Sequence, residues 1–200
     1  EVYLAGRGLH LDPWPFTLRF LPAHRYISAK VDHRGPCMVA GVQDRAGRVA
    51  VSLHADRQHA AEAAGHLDAD LVVMVQGDEP MTTPDMIDAA VAPFRDDDAV
   101  QCVNLAKRID DEAEFDDPNT IKVVMDLRGD ALYFSRGPVP TQHVASFANI
   151  PVFKQVCIIP FRRDILLEYA RLEPTSLEQV ESVDMLRFLE HGYRVHMVET

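Results

Sequence analysis

The chain of 200 residues and 22.4 kDa is long enough for one domain with a core of its own. Hydrophobic residues at 47% and charged residues at 26% exclude a wholly disordered chain. The formal net charge of −11 argues against a nucleic-acid-binding basic face, and no apolar run is long enough for a helical membrane span.

The charge is unevenly spread. Residues 1–60 carry a local charge of +3 and five of the nine His, whereas residues 61–200 carry −14. We read 1–60 as an atypical N-terminal part of the same domain and 61–200 as its recognisable core. The chain opens on Glu1 rather than Met, which reads as a fragment or a processed product. Cys37, Cys102 and Cys157 are odd in number and form no CxxC pair, so a reduced, cytoplasmic setting is expected.

In chain order, Pro13, Pro15 and Pro22 exclude an early helix, and Leu18, Phe20 and Leu21 suit a short strand. His33-Arg34-Gly35-Pro36 reads as a turn and 49–51 as a weak strand. Residues 60–66 read as a helix stopped by Gly65. The unbroken apolar run 71–75 predicts a strand buried on both faces of a sheet. Thr83 as N-cap and Pro84 in the first turn predict a helix burying Met86, Ile87, Ala90, Val91 and Phe94. Strands are predicted at 100–105 and 153–161, with a hairpin of 120–125 and 131–134 between them. Helices are expected over 164–172 and 180–189, the second introduced by the capping box Thr175-Ser176-Leu177-Glu178, before a last strand at 193–198. Strands alternating with helices predict an α/β three-layer fold with one inserted hairpin.

The loop Gln76-Gly77-Asp78-Glu79-Pro80 follows the buried strand, where ligands sit in open α/β sheets. An Asp there is a hard oxygen donor suited to Mg²⁺, and equally a plain polar turn. Asp117-Pro118-Asn119 favours an Asx turn. Tyr133, Ser135 and Arg136 end a strand, the Arg suited either to gripping an anion or to a surface salt bridge. Glu178, Gln179 and Glu181 open a helix and compensate its dipole. There is no Walker A loop, GxGxxG or GxSxG.

Taken together and in this order, these segments resemble the CMP-Kdo synthetase family, the 3-deoxy-manno-octulosonate cytidylyltransferases. The matching text is 73–81, Asp117-Pro118-Asn119 with Lys122-Val123-Val124, 131–136 with Pro138 and Pro140, 177–182, and 189–193. The resemblance implies a Rossmann-like nucleotidyltransferase (sugar-nucleotide transferase) fold, usually homodimeric. It implies transfer of CMP from CTP to an acidic eight-carbon sugar, with release of pyrophosphate, for lipopolysaccharide synthesis. By the same resemblance Asp78 would hold Mg²⁺ and Gln76 would contact substrate. Tyr133, Ser135 and Arg136 would line the sugar side, and Glu178 and Gln179 would bind sugar hydroxyls. Gln155 stands where the family has a sugar-contacting His. The family's phosphate-cradling P-A-R…P-G-K run is absent from 1–60, and its V-D-T-P-E-D-L segment would lie beyond Thr200. A reading-frame error and true divergence both account for 1–60. A catalytically incomplete product, or a nucleotide-sugar-binding domain without turnover, is the alternative function.

Overall fold

The computed structural model describes residues 18–28, 31–40, 49–53, 61, 64–65, 69–76, 79 and 81–200, those before residue 54 by their backbone alone. The strands are β1 (Leu18–Ser28), β2 (Val31–Ala40), β3 (Val49–Leu53), β4 (Leu71–Val75), β5 (Val103–Arg108), β6 (Lys122–Met125), β7 (Ala131–Ser135), β8 (Phe153–Val156), β9 (Ile158–Arg162) and β10 (His196–Glu199). The helices are α1 (Pro84–Val91), α2 (Pro93–Asp96), α3 (Glu112–Asp116), α4 (Arg163–Tyr169), α5 (Ser176–Glu181) and α6 (Asp184–Glu190).

The strands form two five-stranded sheets, ordered β1-β2-β3-β4-β9 and β10-β5-β8-β6-β7. The pairs β3–β4 and β5–β10 are parallel; the other pairs are antiparallel. Helices cover both faces, and β4 shows it directly. Its five residues are all buried because Leu71, Val73 and Val75 enter one core with Ile87, Ala90, Val91 and Phe94. Val72 and Met74 enter the other, with Phe161, Tyr169 and Phe188. Strand alternation thus feeds two cores from one apolar run. This is the three-layer α/β fold expected, with the β6–β7 hairpin inserted.

Four expectations are corrected. His33–Pro36 is not a turn but part of β2, paired with β1. The register shifts between Leu21 and His24, opposite Pro36, and a bulge is where a sheet tolerates proline. The first predicted helix is two: α1, capped by Thr83 Oγ1 accepting the Met86 N–H at 3.4 Å, ends before Pro93 opens α2 and carries Phe94. The predicted helix 180–189 begins earlier and divides at Ser182, whose φ of 53° is left-handed and stops α5. Most consequentially, the single strand expected over 153–161 breaks at Cys157 into β8 and β9, which lie in different sheets. The Cys157 N–H turns to Glu79 Oε1 at 2.7 Å, and its carbonyl accepts the Gln76 N–H at 3.1 Å.

The two sheets meet beside this break, through the Cys102–Phe161 bridge and the Arg162 N–H to Gln101 O bond of 3.0 Å. The hairpin turn then reaches across to β10. Met197 N–H donates to Gly129 O and Ala131 N–H to Val195 O, both at 2.8 Å. Gly129 takes a φ of 86°, which a side chain would resist.

An aromatic group holds α4 and α6 to the sheet. Phe188 is fully buried, edge-on to Phe161 and Tyr169 at 6.0 and 5.2 Å and stacked on Tyr193 at 4.4 Å. Phe188→Ala is expected to lose about 3–5 kcal/mol of stability, read as a lower denaturation midpoint in urea.

Candidate active site

The site is built at the carboxyl end of β4. The backbone after β4 is pinned at two points, Gln76 N–H to Cys157 O and Glu79 N–H to Gln76 O at 3.2 Å. Gln76 is half-buried there. Asp78, the expected metal ligand, lies outside the described residues, as do Gly77 and Pro80. Among the described residues, no three or more His, Cys, Asp or Glu are grouped to hold a metal ion.

The second part of the site gathers on Glu181. Its Oε1 accepts the Tyr133 hydroxyl at 3.1 Å and the Ser135 hydroxyl at 3.0 Å, and its Oε2 accepts the Arg136 N–H at 2.8 Å. Partial burial resists ionisation of Glu181. The Arg136 N–H and the two hydroxyls outweigh it and hold the carboxyl below the usual glutamate range. Burial, reinforced by the Glu181 carboxylate, pushes the Tyr133 phenol up. Tyr133, Ser135 and Arg136 therefore come together around a carboxylate that the sequence suggested only as a helix-dipole partner.

Arg136 has a different role from either expected. Its guanidinium donates to three main-chain carbonyls: Glu181 O at 2.7 Å, Pro118 O at 2.9 Å and Ser182 O at 3.2 Å. It ties the Asp117 loop to the end of α5 while leaving its charge at this end of the sheet. Lys122 repeats the device from inside. It is fully buried, and its ammonium donates to Asp117 O at 2.8 Å, Thr120 O at 2.7 Å and Arg136 O at 2.5 Å. Burial lowers its pKa, against the raising influence of Asp117 and Asp116. Asp117 itself forms the Asx turn expected, accepting the Asn119 N–H at 2.8 Å.

Glu178 is turned inward. Its carboxylate takes Arg187 in a two-pronged pair, Nε to Oε2 at 2.5 Å and Nη2 to Oε1 at 2.6 Å, and reaches back to the Thr175 N–H at 3.3 Å. The capping role holds; as a sugar ligand Glu178 gives way to its own buried ion pair, and exposed Gln179 is the group this turn offers. Glu190 completes the start of α5, its carboxylate accepting the Leu177 and Glu178 N–H groups at 3.2 and 3.3 Å.

Gln155 is half-buried on β8, and its Nε2 donates to Asn104 Oδ1 at 2.7 Å. Asn104 is fully buried on β5. Asn104, Lys122 and Glu181 are the site residues to which no substrate-side role was assigned. Asn104 and Lys122 each carried a legible signal, a polar side chain beside apolar strand residues, Asn104 between Val103 and Leu105 and Lys122 between Ile121 and Val123. Nothing local marked Glu181, since its partners lie more than forty residues away.

Lys122→Met is expected to strand three carbonyls and cost about 2–3 kcal/mol, measured by urea denaturation. Glu181 stabilises the fold fully above its ordinary value of 4.5, and that contribution is lost as pH falls through its depressed pKa. Glu181→Gln is therefore expected to flatten the fall of melting temperature with pH below 4.5.

Comparison with known proteins places this geometry. The cytidylyltransferase family profile matches residues 48–195, opening upstream of the first motif quoted above. A second profile, a domain of unknown function, matches residues 1–63. The chain is 38% identical to the 3-deoxy-manno-octulosonate cytidylyltransferase of Geotalea daltonii, over 98% of this chain and 81% of the relative. It is 43% identical to that of Geobacter metallireducens, over 70% of this chain and 59% of the relative. Among solved structures it matches a CMP:2-keto-3-deoxy-manno-octonic acid synthetase complexed with CTP. The TM-score is 0.68 and the identity 35%, over 74% of this chain and 60% of that one. A Rossmann-like three-layer sheet with this family profile over most of its length belongs to the cytidylyltransferase family.

Proposed function

We propose that the protein joins CTP to an acidic eight-carbon sugar of the 3-deoxy-manno-octulosonate type, giving the CMP-sugar and pyrophosphate. The observation that carries this reading is the match to a synthetase solved with CTP, supported by relatives whose names give the same reaction. In the reaction the sugar's anomeric hydroxyl attacks the α-phosphorus. A new P–O bond forms as the bond to pyrophosphate breaks, and the hydroxyl proton is released.

The chain's own groups divide this work. The Gln76 N–H donates to Cys157 O and the Glu79 N–H to Gln76 O at the strand end, where Gln76 would contact substrate. Tyr133 and Ser135 both donate to Glu181, and Ser135 is buried and also accepts the Gly137 N–H, so half-buried Tyr133 and the exposed Gln179 amide are the groups this cluster would offer the sugar. Arg136 would supply positive charge that anionic substrates require in a chain of net −11, while Lys122, fully buried and bonded to three carbonyls, holds the strand end and the Asp117 loop in place. Asp78 would hold Mg²⁺: its carboxylate is a hard oxygen donor, while the neighbouring Glu79 carboxylate is engaged by Cys157. The bound ion would neutralise charge on the triphosphate.

A homodimer, a cytoplasmic site of action and a place in lipopolysaccharide synthesis belong to the same proposal. Among the described residues, no helix is long and apolar enough to cross a membrane. The test is pyrophosphate release in the full-length protein, with CTP, UTP and GTP offered against eight- and nine-carbon acidic sugars. Turnover with CTP and the eight-carbon sugar is expected, and preference for UTP or GTP overturns the reading. Asp78→Asn is expected to abolish Mg²⁺-dependent release; near-normal turnover removes Asp78 from the metal site.

A further inference from the structure

The Asn104–Gln155 pair has a polarity that can be derived. Asn104 Nδ2 lies 2.9 Å from Leu105 O and 2.7 Å from Val156 O. Both neighbours are main-chain carbonyls, which only accept, so the amide nitrogen must face them and spend both hydrogens there. Asn104 is fully buried on β5, so an amide flip would set its oxygen against two carbonyl oxygens with no water to compensate. Its Oδ1 is therefore held toward Gln155, and it too can only accept. Gln155 must answer with Nε2, as it does at 2.7 Å. Its own carbonyl oxygen is left over. That oxygen accepts no hydrogen bond among the described residues, and it is not among the buried unsatisfied atoms, so solvent or ligand reaches it.

Its position ties it to the site. Gln155 lies two residues before Cys157, the residue bonded to Gln76 and Glu79. The Gln155 N–H bonds to Ile121 O, and the register across β6 and β7 places Arg136 at the same level on the far side.

We propose that Asn104 is a positioning residue. It locks the Gln155 amide so that a non-titrating carbonyl oxygen faces the sugar and selects a hydroxyl or ammonium donor on it. This rests on the functional reading above and sharpens it. An imidazole at this position would donate or accept and change charge near neutrality; the locked amide does neither.

The test is steady-state kinetics of the full-length protein with CTP and the acidic sugar. Gln155→Leu is expected to raise the sugar KM about tenfold, leaving the KM for CTP within about twofold. Gln155→His is expected to make the sugar KM pH-dependent between about pH 6 and 7, where the wild type is flat. Asn104→Leu should raise the sugar KM, and the double variant should be no worse than Gln155→Leu, because one acts through the other. If Asn104→Leu does not fold, NMR of the wild-type Gln155 side chain decides. One Nε2 proton bonded to Asn104 is protected from exchange; two protons exchanging alike overturn the lock. A sugar KM unchanged in Gln155→Leu overturns the proposal while the functional reading stands. Absence of turnover by the wild type with every acidic sugar overturns the reading and the proposal together.

Discussion

The peptide of Cys157 belongs to neither sheet, and the site follows from where it goes. Its N–H satisfies the Glu79 carboxylate and its carbonyl receives the Gln76 N–H, so the crossing strand is fastened to the loop after β4. A continuous strand would have carried Gln155 along one ladder. The break instead lets β9 pair with β4 while β8 pairs with β5 and β6. The residues that follow β4 and those that end β8 are thereby brought to one edge.

Buried charge organises the other side of that edge. Lys122, Glu181 and the Glu178–Arg187 pair are all withdrawn from water wholly or in part, and each is costly unless fully bonded. The structure answers with main-chain groups and a few side chains. Lys122 and Arg136 each find three carbonyls. Glu181 finds two hydroxyls and a peptide N–H. Such bonds specify geometry more than they add stability, because each replaces hydration of comparable strength. The result is a hairpin, a loop and a helix end held in one relative position, with the Gln179 amide exposed on the helix.

Much of this was legible in the chain. The run 71–75 read as a doubly covered strand, because unbroken apolar residues suit a strand buried on both faces, and all five are buried. Thr83 and Pro84 announced a helix start through purely local chemistry, and Asp117 an Asx turn for the same reason. The motifs, read in order, pointed to the family that the 48–195 match shows. Local signals failed where the deciding partner was distant. Pro36 looked like a turn because its partner strand supplied the bulge that admits it. Residues 153–161 looked like one strand because Cys157 meets Glu79 and Gln76 from 78 and 81 positions away.

By itself, then, the sequence determined the class of fold and the family, since these depend on periodicity, capping and motif order. The roles of those residues were decided by tertiary structure. Arg136 became a strap, Glu178 an ion-pair partner and Glu181 an organising carboxylate, because a side chain's function follows from what its polar atoms bond to. For Gln155 that partner is Asn104, and which atom it presents is settled by two carbonyls that no pattern along the chain reveals.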